Sequence, residues 1–127
     1  MSTDIARLRQ DVSSAQQEFA LVELWKQADG ELFVKVALQS SVGQAYMASI
    51  YLENYPTQMP RVMIDRPALA PLSPHRYQGG HICFLHPSMW NPGCHDIAFV
   101  IRRTSKWIHK YEVWRAQERW PGAQIRH

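Results

Sequence analysis

The run Leu32–Gln39 constrains this chain more than any other stretch. Leu32, Val34, Val36 and Leu38 alternate with Phe33, Lys35, Ala37 and Gln39. A period of two sends the two sets to opposite faces of a half-buried β-strand. A second apolar run occupies residues 21–27, and Ala28-Asp29-Gly30-Glu31 lies between the two. Asp-Gly in that place marks a hairpin, because the tight turn needs residues that tolerate positive φ. The chain is thereby committed to an antiparallel sheet with an apolar face, and another layer has to cover that face.

The covering elements stand at the two ends. Within residues 4–19, Ile5, Leu8, Val12, Ala15 and Phe19 recur at helical spacing, with Thr3 or Asp4 as the cap. Within residues 96–120, Ile97, Val100, Ile101, Thr104, Trp107, Ile108, Tyr111 and Trp114 form a broad apolar helix face. Arg103, Lys106 and Lys110 share another face, and Pro121-Gly122 ends the helix. Between the helices, Gly43 marks a turn and residues 45–52 read as a third strand. Tyr55-Pro56 and Met59-Pro60 then break the pattern. Residues 61–65 make a short fourth strand, and proline on both sides makes it an edge strand. The expected class is α+β: an N-terminal helix, a four-stranded antiparallel meander, a long loop and a long C-terminal helix, with both helices on one face. With 127 residues, the expectation is one domain over residues 1–127 with one core.

Composition narrows the function classes. Hydrophobic residues make up 46% and charged residues 20%, which excludes disorder and a disulfide-packed miniprotein. The N-terminal stretch is charged where a signal peptide needs an apolar segment, and no run is long enough to span a membrane. The expectation is a cytoplasmic protein with no membrane partner. Lys plus Arg total 14 against 11 Asp plus Glu, a net charge of +3, too little to argue for nucleic acid. The basic excess gathers from Phe99 to His127.

Residues 66–94 lose all periodicity, and they hold five prolines: Pro67, Pro71, Pro74, Pro87 and Pro92. A loop this long in a small domain is usually functional or disordered. Ile82, Phe84, Leu85, Met89 and Trp90 give it apolar residues to pack against the sheet. Across residues 75–95 stand both cysteines, Cys83 and Cys94, and four histidines: His75, His81, His86 and His95. Three chemistries fit these residue types. Cys83, in Gly79-Gly80-His81-Ile82-Cys83-Phe84, suits a nucleophile that accepts and passes on an acyl group. The local pattern favours the other reading of Cys83, a buried small hydrophobe between Ile82 and Phe84. Zinc is poorly served, because there is no Cys-x-x-Cys pair. Nucleic acid is poorly served too, because Trp107, Tyr111 and Trp114 lie at core spacing rather than as an exposed stacking row.

The order of short motifs is more informative than any one of them. Tyr55-Pro56, Met59-Pro60-Arg61-Val62, His75, Gly80-His81-Ile82-Cys83-Phe84 and Trp90-Asn91-Pro92 follow one another along the chain. This order resembles the ubiquitin-conjugating enzymes, with their Tyr-Pro, Pro-x-Val, His-Pro-Asn, Gly-x-Ile-Cys-Leu and Trp-x-Pro, over about residues 4–120. The resemblance implies a catalytic Cys83. That cysteine would take a ubiquitin-like C-terminus as a thioester from an activating enzyme and pass it to an amine. His75, Tyr77, His81 and Trp90 become the supporting active-site loop, and neither a metal nor a cofactor is called for.

Three departures set this chain apart within that superfamily. The His-Pro-Asn tripeptide reads His75-Arg76-Tyr77, so Tyr77 stands at the family's asparagine, either as a hydrogen-bond donor or as a packing residue. The loop is one residue shorter on each side of Cys83. The expectation is a domain without the two C-terminal helices of the eukaryotic enzymes. These features resemble the compact prokaryotic members found in anti-phage cyclic-oligonucleotide signalling (CBASS) operons. The partners so implied are proteins: a ubiquitin-like protein or the C-terminus of a cGAS-like nucleotidyltransferase, with or without an activating enzyme. The runner-up is the same fold as an inactive protein-binding module. Further roles stand as expectations. His81 or His86 would serve as a base or as a solvated loop residue, Asp96 as a first-turn carboxylate, and Arg7 and Arg9 as the exposed side of the first helix. Cys94, at a helix start, is the rival thiol.

Overall fold

The computed structural model describes residues 2–122. Arg126 and His127, the end of the basic C-terminal stretch, lie outside the described residues. The elements run α1 (Ile5–Glu18), β1 (Leu21–Lys26), β2 (Leu32–Gln39), β3 (Ala45–Tyr51), β4 (Arg61–Arg66), a short 3-10 turn (Pro87–Met89) and α2 (Ile97–Gln117). Each strand and each α-helix falls within a residue or three of its expected place, and the 3-10 turn lies in the stretch expected to be loop.

The four strands form one antiparallel sheet in the order β1-β2-β3-β4. The first hairpin closes as its Asp-Gly requires: Gly30 takes φ +91°, Gln27 N–H donates to Glu31 O at 2.7 Å, and Asp29 Oδ1 accepts from Glu31 N–H at 3.0 Å. Register then decides the faces. Val22, Val36, Ala48 and Ile64 form one cross-strand row, and Leu24, Val34, Ile50 and Val62 the next. Except for Leu24 on the edge strand, these are buried. They share a core with Leu8, Val12 and Ala15 of α1 and Ile97, Val100, Ile101, Trp107, Ile108 and Tyr111 of α2. Both helices therefore cover the same sheet face, as α+β layering demands. The opposite face carries the row Trp25, Phe33, Tyr51 and Arg61.

Asp4 caps α1, accepting from Arg7 N–H at 3.1 Å, and Thr3 Oγ1 donates instead to Leu52 O at 2.7 Å. Two helix expectations fail here. Ile5 is exposed, because it precedes the turn that meets the sheet. Arg7 is drawn inward rather than presented to a partner. Its Nε pairs with buried Asp11 at 2.6 Å and its Nη2 reaches His95 O at 2.9 Å. Tyr55 Oη donates to the same carboxylate, so Asp11 ties α1 to the segment after β3 and to the approach to α2. Arg9 is exposed, as expected. Among the described residues no helix is long and apolar enough to cross a membrane.

Candidate active site

The loop after β4 owes its order to bonds between distant residues. Ile82 N–H donates to Val62 O on the edge strand β4 at 2.9 Å, so the chain returns alongside the sheet it has just left. Arg76 and Ile82 form an isolated antiparallel bridge. Within it Tyr77 N–H donates to His81 O at 2.9 Å and Gly80 N–H donates to Tyr77 O at 2.8 Å. Gly80 takes φ +93°, which a side chain would strain. Arg76 then fastens this small turn to the preceding chain. Its guanidinium donates to Ala70 O and Gly80 O, each at 3.3 Å, and to Ser73 Oγ at 3.1 Å. Sequence reasoning treated Arg76 only as a departure from a motif; here it holds the loop.

This turn delivers Cys83 to a fixed place. Its N–H donates to His75 O at 2.8 Å, and the same carbonyl accepts from Trp107 Nε1 at 3.2 Å. The carbonyl of the next residue, Phe84, accepts from Arg103 Nε at 3.0 Å. The carbonyl that accepts from the cysteine N–H and the carbonyl of the residue after it are thus both anchored to α2. His75 itself takes φ +59°, an uncommon conformation that the surrounding bonds enforce. The thiol lies in a narrow groove of about 30 Å³ lined by His75, Cys83, Phe84, Arg103, Lys106, Trp107, Lys110 and Trp120. The His75 ring packs on Trp120 with centroids 4.7 Å apart, and Trp120 packs on Trp107 at 5.4 Å.

Electrostatics distinguish the groups around the sulfur. Burial pushes the Cys83 thiol up to about 11, and a hydrogen bond from Tyr77 acts against that rise. Burial, with the neighbouring Cys83, pushes the Tyr77 phenol up to about 12, so it keeps its proton and donates to the sulfur. The asparagine-position residue is therefore a polar neighbour of the thiol. Burial, then the charge of Lys110, holds the His75 imidazole below its ordinary range. Burial, then Arg61, does the same for His81.

The site residues expected from sequence do not all converge. Cys83, His75 and Tyr77 come together. His81 stacks on Tyr77 with ring centroids 4.5 Å apart, but its ring lines a larger groove beyond, with Tyr51, Arg61 and Met63. Trp90 stands elsewhere. Its Nε1 donates to Pro56 O at 2.8 Å, and it packs against Tyr55, His95 and Phe99. His86 Nδ1 lies 2.7 Å from Ser88 Oγ and accepts from Ser88 N–H, closing the 3-10 turn. Met89 does not pack down on the sheet; it is exposed on that turn. Asp96 caps α2, its Oδ1 accepting from Phe99 N–H at 2.9 Å. Cys94 is exposed. Among the described residues no three His, Cys, Asp or Glu gather closely enough to hold a metal.

Sequence reasoning missed four groove residues. Arg103, Lys106 and Lys110 were legible as one helix face, but nothing in their spacing says that this face borders the cysteine. Trp120, read as a helix end, gave no signal of its inward position.

With the geometry in place, comparison with known proteins adds the following. A family model described as E2-CBASS, Type II CBASS E2 protein, matches residues 11–127. The chain is similar to a Vps23 UEV solved in complex with ubiquitin, at 13% identity over 84% of each chain and a TM-score of 0.61. It is also similar to the yeast Vps23 UEV domain solved with a Vps27 PSDP peptide, at 12% identity, 98% of this chain, 87% of that chain and a TM-score of 0.60. At such identities the likeness is one of fold. Comparison with curated proteins gives no match.

Proposed function

The chain belongs to the type II CBASS E2 proteins and has the ubiquitin-conjugating fold, and from that premise we propose that it carries a protein C-terminus as a thioester on Cys83. The carried protein is a ubiquitin-like protein or a cGAS-like nucleotidyltransferase, and the setting is anti-phage defence. One observation carries the reading: Cys83 lies in a groove, pinned by its own backbone, with the Tyr77 hydroxyl at its sulfur.

The chemistry follows from that arrangement. The Cys83 sulfur attacks an activated acyl carbon, the bond to the leaving group breaks, and the thiol proton passes to that leaving group or to water. Attack converts the carbonyl oxygen into an oxyanion and draws charge off the sulfur. The Tyr77 hydroxyl, protonated throughout, is placed to stabilise the sulfur as it loses its proton. An amine then attacks the thioester carbon and expels the thiolate, and the amide that forms makes this step run downhill. His75 is a positioning residue, acting through its carbonyl on the cysteine N–H.

Intact mass of the protein expressed with its native neighbouring genes tests the proposal. Wild type and Cys94→Ser are expected to carry a protein-sized adduct that thiol reagents remove. Cys83→Ser is expected to carry an oxygen ester or nothing. No adduct on any variant, with the adenylating partner active, would overturn carriage. The second reading, a binding module, draws on the burial that keeps Cys83 a protonated thiol. The partners named for the two Vps23 UEV structures, ubiquitin and a peptide, illustrate such binding on this fold.

A further inference from the structure

Arg103, Lys106 and Lys110 line the Cys83 groove from one side. Their spacing puts all three on the same face of α2. Among the described residues none of them is in an ion pair, and no carboxylate lines the groove. Arg103 is committed in part, to Phe84 O, and Lys106 is exposed. Lys110 is half-buried, and burial followed by repulsion from Lys106 and Arg103 holds its ammonium below the ordinary range. Three like charges on one face repel one another, and an anionic visitor relieves that cost.

We infer that this basic rim is a specificity site for the acyl donor: it binds acidic side chains in the C-terminal segment of the protein that Cys83 carries. The inference rests on the thioester reading above and deepens it. Two arguments select the donor over the acceptor. The acceptor brings an amine, whose protonated form the three cations repel. The donor's tail has to lie along the groove, because its last residue is bonded to the sulfur. Length fixes which positions matter. From Arg103 to Lys110 the helix rises about 10 Å, the length of about three extended residues. The groove, about 30 Å³, favours a small residue at the sulfur itself. The acids therefore belong two to four residues before the end of the tail, and the terminal residue is small.

Synthetic peptide thioesters test this without any activating partner. Three peptides end in glycine as the thioester of a small neutral thiol, and carry Glu, Gln or Lys at the third and fourth residues from the end, two and three before the glycine. In the exchange, the Cys83 sulfur bonds to the glycine carbonyl carbon, the carbon bond to the small thiol breaks, and the Cys83 proton leaves with that thiol. Loading is followed by intact mass in a Cys94→Ser background, at low and high salt. The Glu peptide is expected to load roughly fivefold faster than the Gln peptide, with the Lys peptide slowest, and high salt is expected to flatten the order. In Lys106→Glu/Lys110→Glu the order is expected to reverse, with the Lys peptide fastest, a result that mere unfolding cannot produce. Equal loading of all three peptides overturns the specificity site and leaves carriage standing. Loading of none overturns carriage and the inference with it. Equal loading together with a single-stranded oligonucleotide retained by wild type but not by the double variant overturns it in favour of nucleic acid.

Discussion

Cys83 and Cys94 stand at opposite ends of one stretch of loop, in opposite surroundings. Cys94 is exposed on the approach to α2, its N–H donating to Asn91 O at 3.1 Å. Cys83 is buried, with the His75 and Phe84 carbonyls beside it fixed to α2, a phenol at its sulfur and cations along its groove. Ease of access and fitness for carriage are therefore separate properties. A thiol that is merely available reacts with any electrophile. A thiol that burial holds protonated at neutral pH is slow toward a passing electrophile and depends on an acyl group held against it in the groove. The proposed carrier is the less reactive of the two, and that ordering can be tested directly.

The largest expected effect is in alkylation. With a pKa near 11, about one Cys83 in ten thousand is ionised at pH 7. Iodoacetamide on the native protein at pH 7 is expected to modify Cys94 at least about a hundredfold faster than Cys83, as read by peptide mapping. Because the thiolate is the reactive form, the Cys83 rate is expected to climb about tenfold per pH unit until it levels near pH 11. Equal rates at pH 7 would erase the contrast between the two thiols.

A smaller effect probes what holds the Cys94 end in place. The Cys83 end is fixed by backbone bonds, and the other end by Asp11, through Arg7 to His95 O and directly to Tyr55. Removing the carboxylate strands a buried phenol and unpairs a half-buried guanidinium. Asp11→Ala is expected to cost about 2 kcal/mol in urea unfolding, and Asp11→Asn less. A cost under about 0.5 kcal/mol would show that the network does not anchor this end.

These contrasts also mark how far the sequence was legible. The strands were, because a period of two and an Asp-Gly turn are local properties of Leu32–Gln39 and its neighbours. The start of α2 was legible to within a residue, though Asp96, expected as a first-turn carboxylate, is the cap just outside the helix. The loop was not, because its order depends on partners far away in the chain: Val62 for Ile82, Trp107 for His75 and Arg103 for Phe84. Arg7 was misplaced for a related reason. Charge argues for water until a buried acid at i+4 and a carbonyl from the far end of the loop are both within reach. The candidate thiol emerged from the order of motifs, since its local pattern favoured a packing residue. Its electrostatic setting was visible only once α2 was laid beside it.

Tyr77 carries the smallest expected effect and the finest distinction. The phenol either supports the thiolate or only fills space beside it, and Tyr77→Phe removes the hydroxyl while keeping the ring that stacks on His81. If the hydroxyl supports the thiolate, its loss raises the Cys83 pKa beyond about 11. The alkylation rate of Cys83 at pH 9 is then expected to fall roughly fivefold, the worth of about 1 kcal/mol of hydrogen bonding to a charged sulfur. Cys94 in the same molecule serves as the internal reference, because a general loosening of the fold would speed both thiols rather than slow one. An unchanged Cys83 rate with an unchanged unfolding midpoint would reduce Tyr77 to a packing residue. The thiol would then be set by its burial alone.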